Sequence, residues 1–350
     1  MAHRMKFETL APVAGLGMVL VFGQAAIAQS ASAQTAGAQP SSLSTAGPDT
    51  AAIFSLQGEN SSISTQKVTD RFYTNGLSIG VQSGEDAFPA LAGIGRTLWG
   101  EGHQRVGINI SQQIYTPYDT AAVVPPKNDE PYAGVLLVTA SAVQDDATTR
   151  SAIAVSIGVV GPSALGKQVQ DDFHDLISQG HDSGWNSQLH DEPVIGVETS
   201  RVWRLPIGTL FGFETDALPG LDATVGNLRS AIDAGINFRI GRGLDADFGA
   251  PRIRALSGGE AFKQRDSFGW YVFGGFGGQV VGNDITLNGN TFVNSASVKP
   301  ETFVGQAQGG LAILAFGTRL TYTQVVQTET FKHEKGGAHE FGVLAMSLRF

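Results

Sequence analysis

His174 and Gln170 stand four residues apart in a segment, from about Ala164 to Ser178, where Val169, Phe173, Leu176 and Ile177 recur at helical spacing. Residues four apart on a helix are neighbours, so the imidazole and the amide share one flank of the apolar stripe. Imidazole is the natural proton acceptor near neutral pH, and a base beside a polar partner suits hydrolysis. A histidine on a solvated rim would give the same pattern, as would a turn side chain at Asn60 or a strand-entry hydroxyl at Thr74. The common catalytic signatures, G-x-S-x-G, H-E-x-x-H, the Walker loop and the EF-hand loop, do not occur. Asp182-Ser183-Gly184 is too short a fragment to mark a nucleophile, because a triad is defined by geometry and roles.

These residues need elements to hold them. From Thr69 the chain runs Asp70-Arg71-Phe72-Tyr73-Thr74-Asn75-Gly76-Leu77-Ser78-Ile79-Gly80-Val81-Gln82, a polar turn that becomes a strict alternation. Leu77, Ile79 and Val81 share one face, and Ser78, Gly80 and Gln82 share the other, which is the period of a strand. The alternation places Thr74 on the wet face with Gly76 and Ser78. The segment 105–115 behaves likewise, with Val106, Ile108 and Ile110 opposed to Asn109, Ser111, Gln113 and Tyr115.

The apolar side of such strands can be lipid. Arg4 and Lys6 precede an apolar run from Leu10 to Ala28, with small residues at 26–28 and 31–33. That is the form of a secretory signal peptide, expected over 1–28 with a cut after Ala28 or Ala33. Residues 29–50 are rich in Ser, Ala, Thr, Gln and Gly without periodicity, which predicts a flexible leader. Beyond it no run of 18 apolar residues occurs, so a membrane protein of this sequence must cross as a closed barrel. With no cysteine, disulfides and thiolate metal sites are excluded, and a net charge of −9 argues against a nucleic-acid partner.

Further alternating segments are expected at 51–58, 135–143, 152–160, 194–205, 207–226, 228–240, 268–281, 301–315, 318–331 and 341–350, giving about twelve strands. At 228–240, Asp233, Asn237 and Arg239 share a face, and charge pointing inward requires a wet interior. The predicted fold is all-β: an outer-membrane antiparallel β-barrel over 51–350, with one helix, near 164–178, in an extracellular loop.

Six blocks, in order, resemble the LpxR-type lipid A deacylases of bacterial outer membranes. They are Gly58-Glu59-Asn60, the 69–76 stretch, Tyr115-Thr116-Pro117, Glu130-Pro131-Tyr132-Ala133-Gly134, Gly161-Pro162 through Gln170 to His174, and Glu340-Phe341-Gly342 to Phe350. The resemblance implies a twelve-stranded barrel that uses calcium to hydrolyse the 3′-acyloxyacyl ester of lipid A, with lipopolysaccharide as substrate partner and a monomeric state. It implies His174 as general base on water, and Asn60, Thr74 and Gln170 as polar residues of the catalytic site. Asn60, Glu59 and Thr74 are the implied oxygen ligands of Ca2+. Ser61 stands where the family commonly has Asp, and Glu130 where it usually has Arg, with Glu59 and Asp70 as the nearest replacement carboxylates. The alternative is a catalytically weak barrel of the same fold that binds lipopolysaccharide or is structural. A diffusion porin is disfavoured, since it has no use for a helix with a histidine flank.

Overall fold

The computed structural model describes residues 47–63, 70–252, 259–264 and 266–350. The expected signal peptide and most of the 29–50 leader lie outside these residues, as does Thr69. Thirteen strands follow in order: β1 Ile53–Asn60, β2 Phe72–Gln82, β3 His103–Thr116, β4 Ala133–Asp145, β5 Thr149–Val160, β6 Glu192–Trp203, β7 Leu205–Leu210, β8 Phe213–Gly226, β9 Arg229–Arg242, β10 Phe268–Asp284, β11 Phe303–Ala315, β12 Thr318–Gln327 and β13 His339–Arg349. Neighbours in sequence pair antiparallel except β6 and β7, β1 also pairs with β13, and β6 pairs with β8. Because β7 only continues β6 beyond Arg204 along the same partner β8, the thirteen segments form twelve staves of a closed barrel. Closure leaves no unpaired edge, which is the condition for crossing lipid with strands.

Alternation sets the two faces of the wall. Leu56, Leu77, Ile79, Val81, Ile108, Ile110 and Val138 are exposed, whereas Gln57, Ser78, Ser111 and Gln113 are buried. The exposed apolar set is the lipid face, as the sequence pattern predicts. The interior is not uniformly wet. Tyr73, Tyr115, Val135, Leu137, Val160, Val194, Phe341 and Val343 form a buried apolar layer near one end. Ile53, Leu244, Phe262, Tyr271 and Phe273 form another near the opposite end. A lumen lined by apolar layers at both ends is ill-suited to a diffusion pore.

Five long connections, 61–71, 117–132, 161–191, 285–302 and 328–338, leave one end of the barrel, and the tight turns 146–148, 211–212 and 316–317 leave the other together with the two longer connections 83–102 and 243–267. Long loops mark the extracellular end of such barrels. The expected helix near 164–178 is α2, Gly166–Leu176, in the extracellular 161–191 connection. Two helices went unforeseen: α1, Pro89–Trp99, at the periplasmic end, and the single turn α3, Ile285–Asn288. The signal for α1 was present in Phe88, Leu91, Ile94 and Leu98, which keep helical spacing after a first-turn proline. Asp49, within the expected leader, bonds Arg105 at 2.8 Å and Arg349 at 2.7 Å.

Candidate active site on the outer wall

The 161–191 connection is held against β3 and β4 from the outside. Gly161 N–H donates to Gly134 O at 2.9 Å, Leu189 N–H donates to Tyr132 O at 2.9 Å, and the Gln112 amide donates to Ala164 O at 2.7 Å. Gln112 lies on the lipid-side parity of β3, with Ile108, Ile110 and Ile114. At the start of α2 the backbones nearly touch: a Cβ on Gly166 would meet Gly134 Cα at 2.9 Å, and one on Gly134 would meet Gly166 N at 3.0 Å. Two glycines are therefore what lets the helix lie on the strand. Val169 packs against a buried cluster of Ile114, Tyr132 and Trp185, in which the two aromatic rings lie 4.9 Å apart.

The helix turns its polar flank to the protein: Phe173, Leu176 and Ile177 are exposed while Gly166, Gln170 and His174 are buried.

That buried flank builds a connected polar site. Trp185 Nε1 donates to Gln170 Oε1 at 2.8 Å, and Gln170 Nε2 donates to Asp182 Oδ2 at 3.0 Å. His174 is 1% exposed. Its Nδ1 lies 2.9 Å from Gly180 O, and its Nε2 lies 2.9 Å from Asp70 Oδ2. A carbonyl oxygen only accepts, so Nδ1 carries the proton and Nε2 is the nitrogen that faces the Asp70 carboxylate. Asp70 also accepts from Gln179 Nε2 at 3.2 Å. Burial pushes the Asp182 carboxyl up to about 6, and the neighbouring Asp70 carboxylate adds to this against the opposing effect of His174.

Thr74 and Asn60 occupy the adjoining strands. The register of β2 on β3 slips between Tyr73 and Asn75, so Thr74 is an extra residue, a β-bulge. The bulge breaks the alternation that put Thr74 with Gly76 and Ser78. Its hydroxyl is 2.7 Å from that of Thr116, which by strand parity lies on the outer face with Ile114. Asn60 pairs in register with Asn75 and shares the outward parity of Leu56. Its Oδ1 accepts from Ser62 N at 2.6 Å and from the Ser62 hydroxyl.

Glu59, one residue earlier, necessarily faces the lumen, because successive strand residues alternate. Its carboxylate accepts from Gln57 at 2.8 Å and Tyr73 at 2.6 Å, both lumenal. The expected metal set of Asn60, Glu59 and Thr74 is therefore split across the wall, and Glu59 is not part of an outer-face site. Instead, Asp70, His174 and Asp182 bring ligand atoms within 4.8 Å of one another. Sequence reasoning reaches Asp70 only as a substitute carboxylate and gives Asp182 no role, because neither lies on the helix that carries His174. Asn75 escapes it altogether, and its buried Oδ1, together with Ser61 Oγ, has no hydrogen-bond partner among the described residues.

A closed twelve-stave barrel with a belt of exposed apolar side chains defines an outer-membrane β-barrel protein, here bearing a buried imidazole and amide beside two carboxylates. The profile of the family described as Outer membrane protein LpxR matches residues 17–350, and the chain belongs to that family of lipid A deacylases. LpxR from Salmonella typhimurium has the same fold, with a TM-score of 0.71 at 18% identity over 85% of this chain and 100% of that one. The beta domain of the Bordetella autotransporter BrkA reaches a TM-score of 0.43 at 12% identity, over 87% of this chain and 99% of that one. The translocator domain of NalP from Neisseria meningitidis reaches 0.36 at 10%, over 88% and 90%. No curated protein matches this sequence.

Proposed function

We propose that this protein hydrolyses the 3′-acyloxyacyl ester of lipid A, with His174 as the base on water and calcium as cofactor. The observation that carries this reading is the 1% exposed imidazole fixed between Gly180 and Asp70, on the face of the wall that meets lipid. Nδ1 is committed as a donor to a carbonyl, so Nε2 is the nitrogen that takes the proton from water. The proton of water passes to Nε2, and the Asp70 carboxylate, 2.9 Å from that nitrogen, stabilises the imidazolium that forms. The Gln170 amide, locked by Trp185, fixes Asp182 and with it the shape of the pocket.

The donor chemistry fits a hard cation. Asp70 and Asp182 offer carboxylate oxygens, the donors calcium takes, and a cation would offset the cost that burial and the neighbouring Asp70 impose on an ionised Asp182. Those two carboxylates would hold it, with the Asn60 and Asn75 carbonyls and the Thr74 hydroxyl as further oxygens on the same face, while the imidazole nitrogen, a poor calcium ligand, stays a base. When bound, calcium supplies positive charge that stabilises the oxyanion of ester hydrolysis, an effect of several kcal/mol. A water nucleophile needs no acyl-enzyme.

Mass spectrometry of lipid A from cells expressing the chain, with calcium present, tests the reading. Loss of the 3′-linked acyloxyacyl group is expected, and an unchanged acyl pattern from a folded, outer-membrane-inserted protein would leave a lipopolysaccharide-binding barrel. One observation favours that second reading: both ring nitrogens of His174 face acceptors, an arrangement that suits a locked site as well as a resting one.

A further inference from the structure

Helix α2 has three sides, and only one is accounted for by the site. Gly166, Gln170 and His174, at four-residue intervals, face the wall. Turning one way round the helix brings Lys167 and Asp171, an ion pair, and then Gln168, Asp172 and Asp175, so this side is charged. Turning the other way brings Leu165, Val169, Phe173, Leu176 and Ile177. Of these, Val169 is packed under Tyr132 and Trp185, while Leu165 is 50%, Phe173 38%, Leu176 80% and Ile177 45% exposed.

We propose that this second flank is a membrane-contacting surface, seated on the acyl chains of the outer leaflet, so that α2 lies at the lipid–water interface with its charged flank in water. A helix with one apolar and one charged flank, fixed along its third side, takes this orientation wherever a lipid boundary passes beneath it. Continuity with the barrel's own lipid belt says what the occupant is. The segment carrying α2 rests on Gln112 and Ile114 of β3, and along the same face of that strand follow the exposed Ile110 and Ile108, with Val138 on β4 and Ile157 on β5 beside them. Four large apolar side chains exposed on one flank, adjoining that belt, form a patch that a watery loop has no reason to carry. The inference rests on the outer-membrane location and the geometry of α2, and it stands or falls separately from the deacylase reading.

The chain has no cysteine, so single spin labels report without background. Leu176→Cys is labelled in the full chain reconstituted in dimyristoyl phosphatidylcholine vesicles, with Ile110→Cys as lipid reference and Asp172→Cys as water reference. Folding is checked by heat-modifiable gel mobility. The Leu176 label should collide with oxygen as the Ile110 label does and be shielded from a water-soluble nickel complex that reaches the Asp172 label. If Leu176→Cys fails to fold, Ile177→Cys on the same flank gives the same reading. A label on this flank that meets the nickel complex as often as the Asp172 label overturns the proposal.

Discussion

At the residue scale, His174 does what no other side chain in the pocket can. An amide at 174 keeps a hydrogen bond to Gly180 but cannot accept a proton, so His174→Gln should lower deacylation by about 10²–10⁴-fold while leaving the barrel folded. Lipid A mass spectrometry with gel mobility as folding control checks this, and near-parent activity would remove the imidazole from the mechanism. Asp182 carries a second, independent expectation. Its folded pKa of about 6 lies above the ordinary 3.8, so the folded state binds the proton more tightly than the unfolded one. Stability contributed by this group is then full below about pH 4 and declines as pH rises through about 6. The shift corresponds to ~3 kcal/mol, reduced to ~1–2 kcal/mol by partial exposure. Asp182→Asn, which can still accept from Gln170, should therefore raise the urea midpoint at pH 8 in EDTA and leave it unchanged at pH 4. Equal effects at both pH values would mean that the buried charge of Asp182 is not their cause.

At the element scale, the sequence showed the pairing of Gln170 with His174 but not which way the pair would face. Periodicity identifies an apolar stripe, and in water such a stripe turns inward; beside lipid it can stay outside, and nothing in residues 164–178 alone says which solvent they meet. The bulge at Thr74 was equally hidden, since one extra residue in β2 is defined only by its partner strand. What positions the helix is the Gly134–Gly166 approach. In Gly166→Ala the new Cβ would meet Gly134 Cα at 2.9 Å and the Trp185 ring at 3.0 Å, backbone on one side and a buried ring on the other. The helix must lift, and with it Gln170 and His174, so activity should fall by up to ~10²-fold with barrel stability little changed. Unaltered turnover in this variant would show that the helix seat tolerates more room than the packing implies.

At the scale of the whole molecule, alternation was enough to give the barrel, because each strand is half in lipid and half in protein and period 2 survives any detail of pairing. The twelve staves were legible for that reason, and so were the faces of β3 and β9. The filling of the lumen was not legible, because it comes from a connection folded back inside, where no periodicity applies. The clearest case is Asp247, in the long link between β9 and β10. It bonds Arg239 at 2.6 Å, Arg319 at 2.9 Å and the Tyr271 hydroxyl at 2.9 Å, and its side chain is wholly buried. Burial alone would raise this carboxyl, but Arg319 and Arg239 outweigh it and hold it below the usual aspartate range. A depressed folded pKa means that its stabilisation is present above the unfolded value of 3.8 and is lost as pH falls towards the folded one. Removing the charge weakens the hold on two arginines: Arg239 keeps Asp216 at 2.6 Å, whereas Arg319 keeps the backbone oxygens of Gly249 and Gly259, the Ser347 hydroxyl and the face of Phe262. Breaking one side of a buried ion pair costs about 3–5 kcal/mol, and the surviving Asp216 contact places Asp247→Asn towards the lower end. The urea midpoint should fall accordingly at pH 7, and the difference from the parent should shrink below pH 4, where the parent loses the same charge. Deacylation by the folded fraction should be unaffected, because the network lies at the periplasmic end and His174 at the extracellular one; a variant as stable as the parent at pH 7 would show that the link does not brace the barrel.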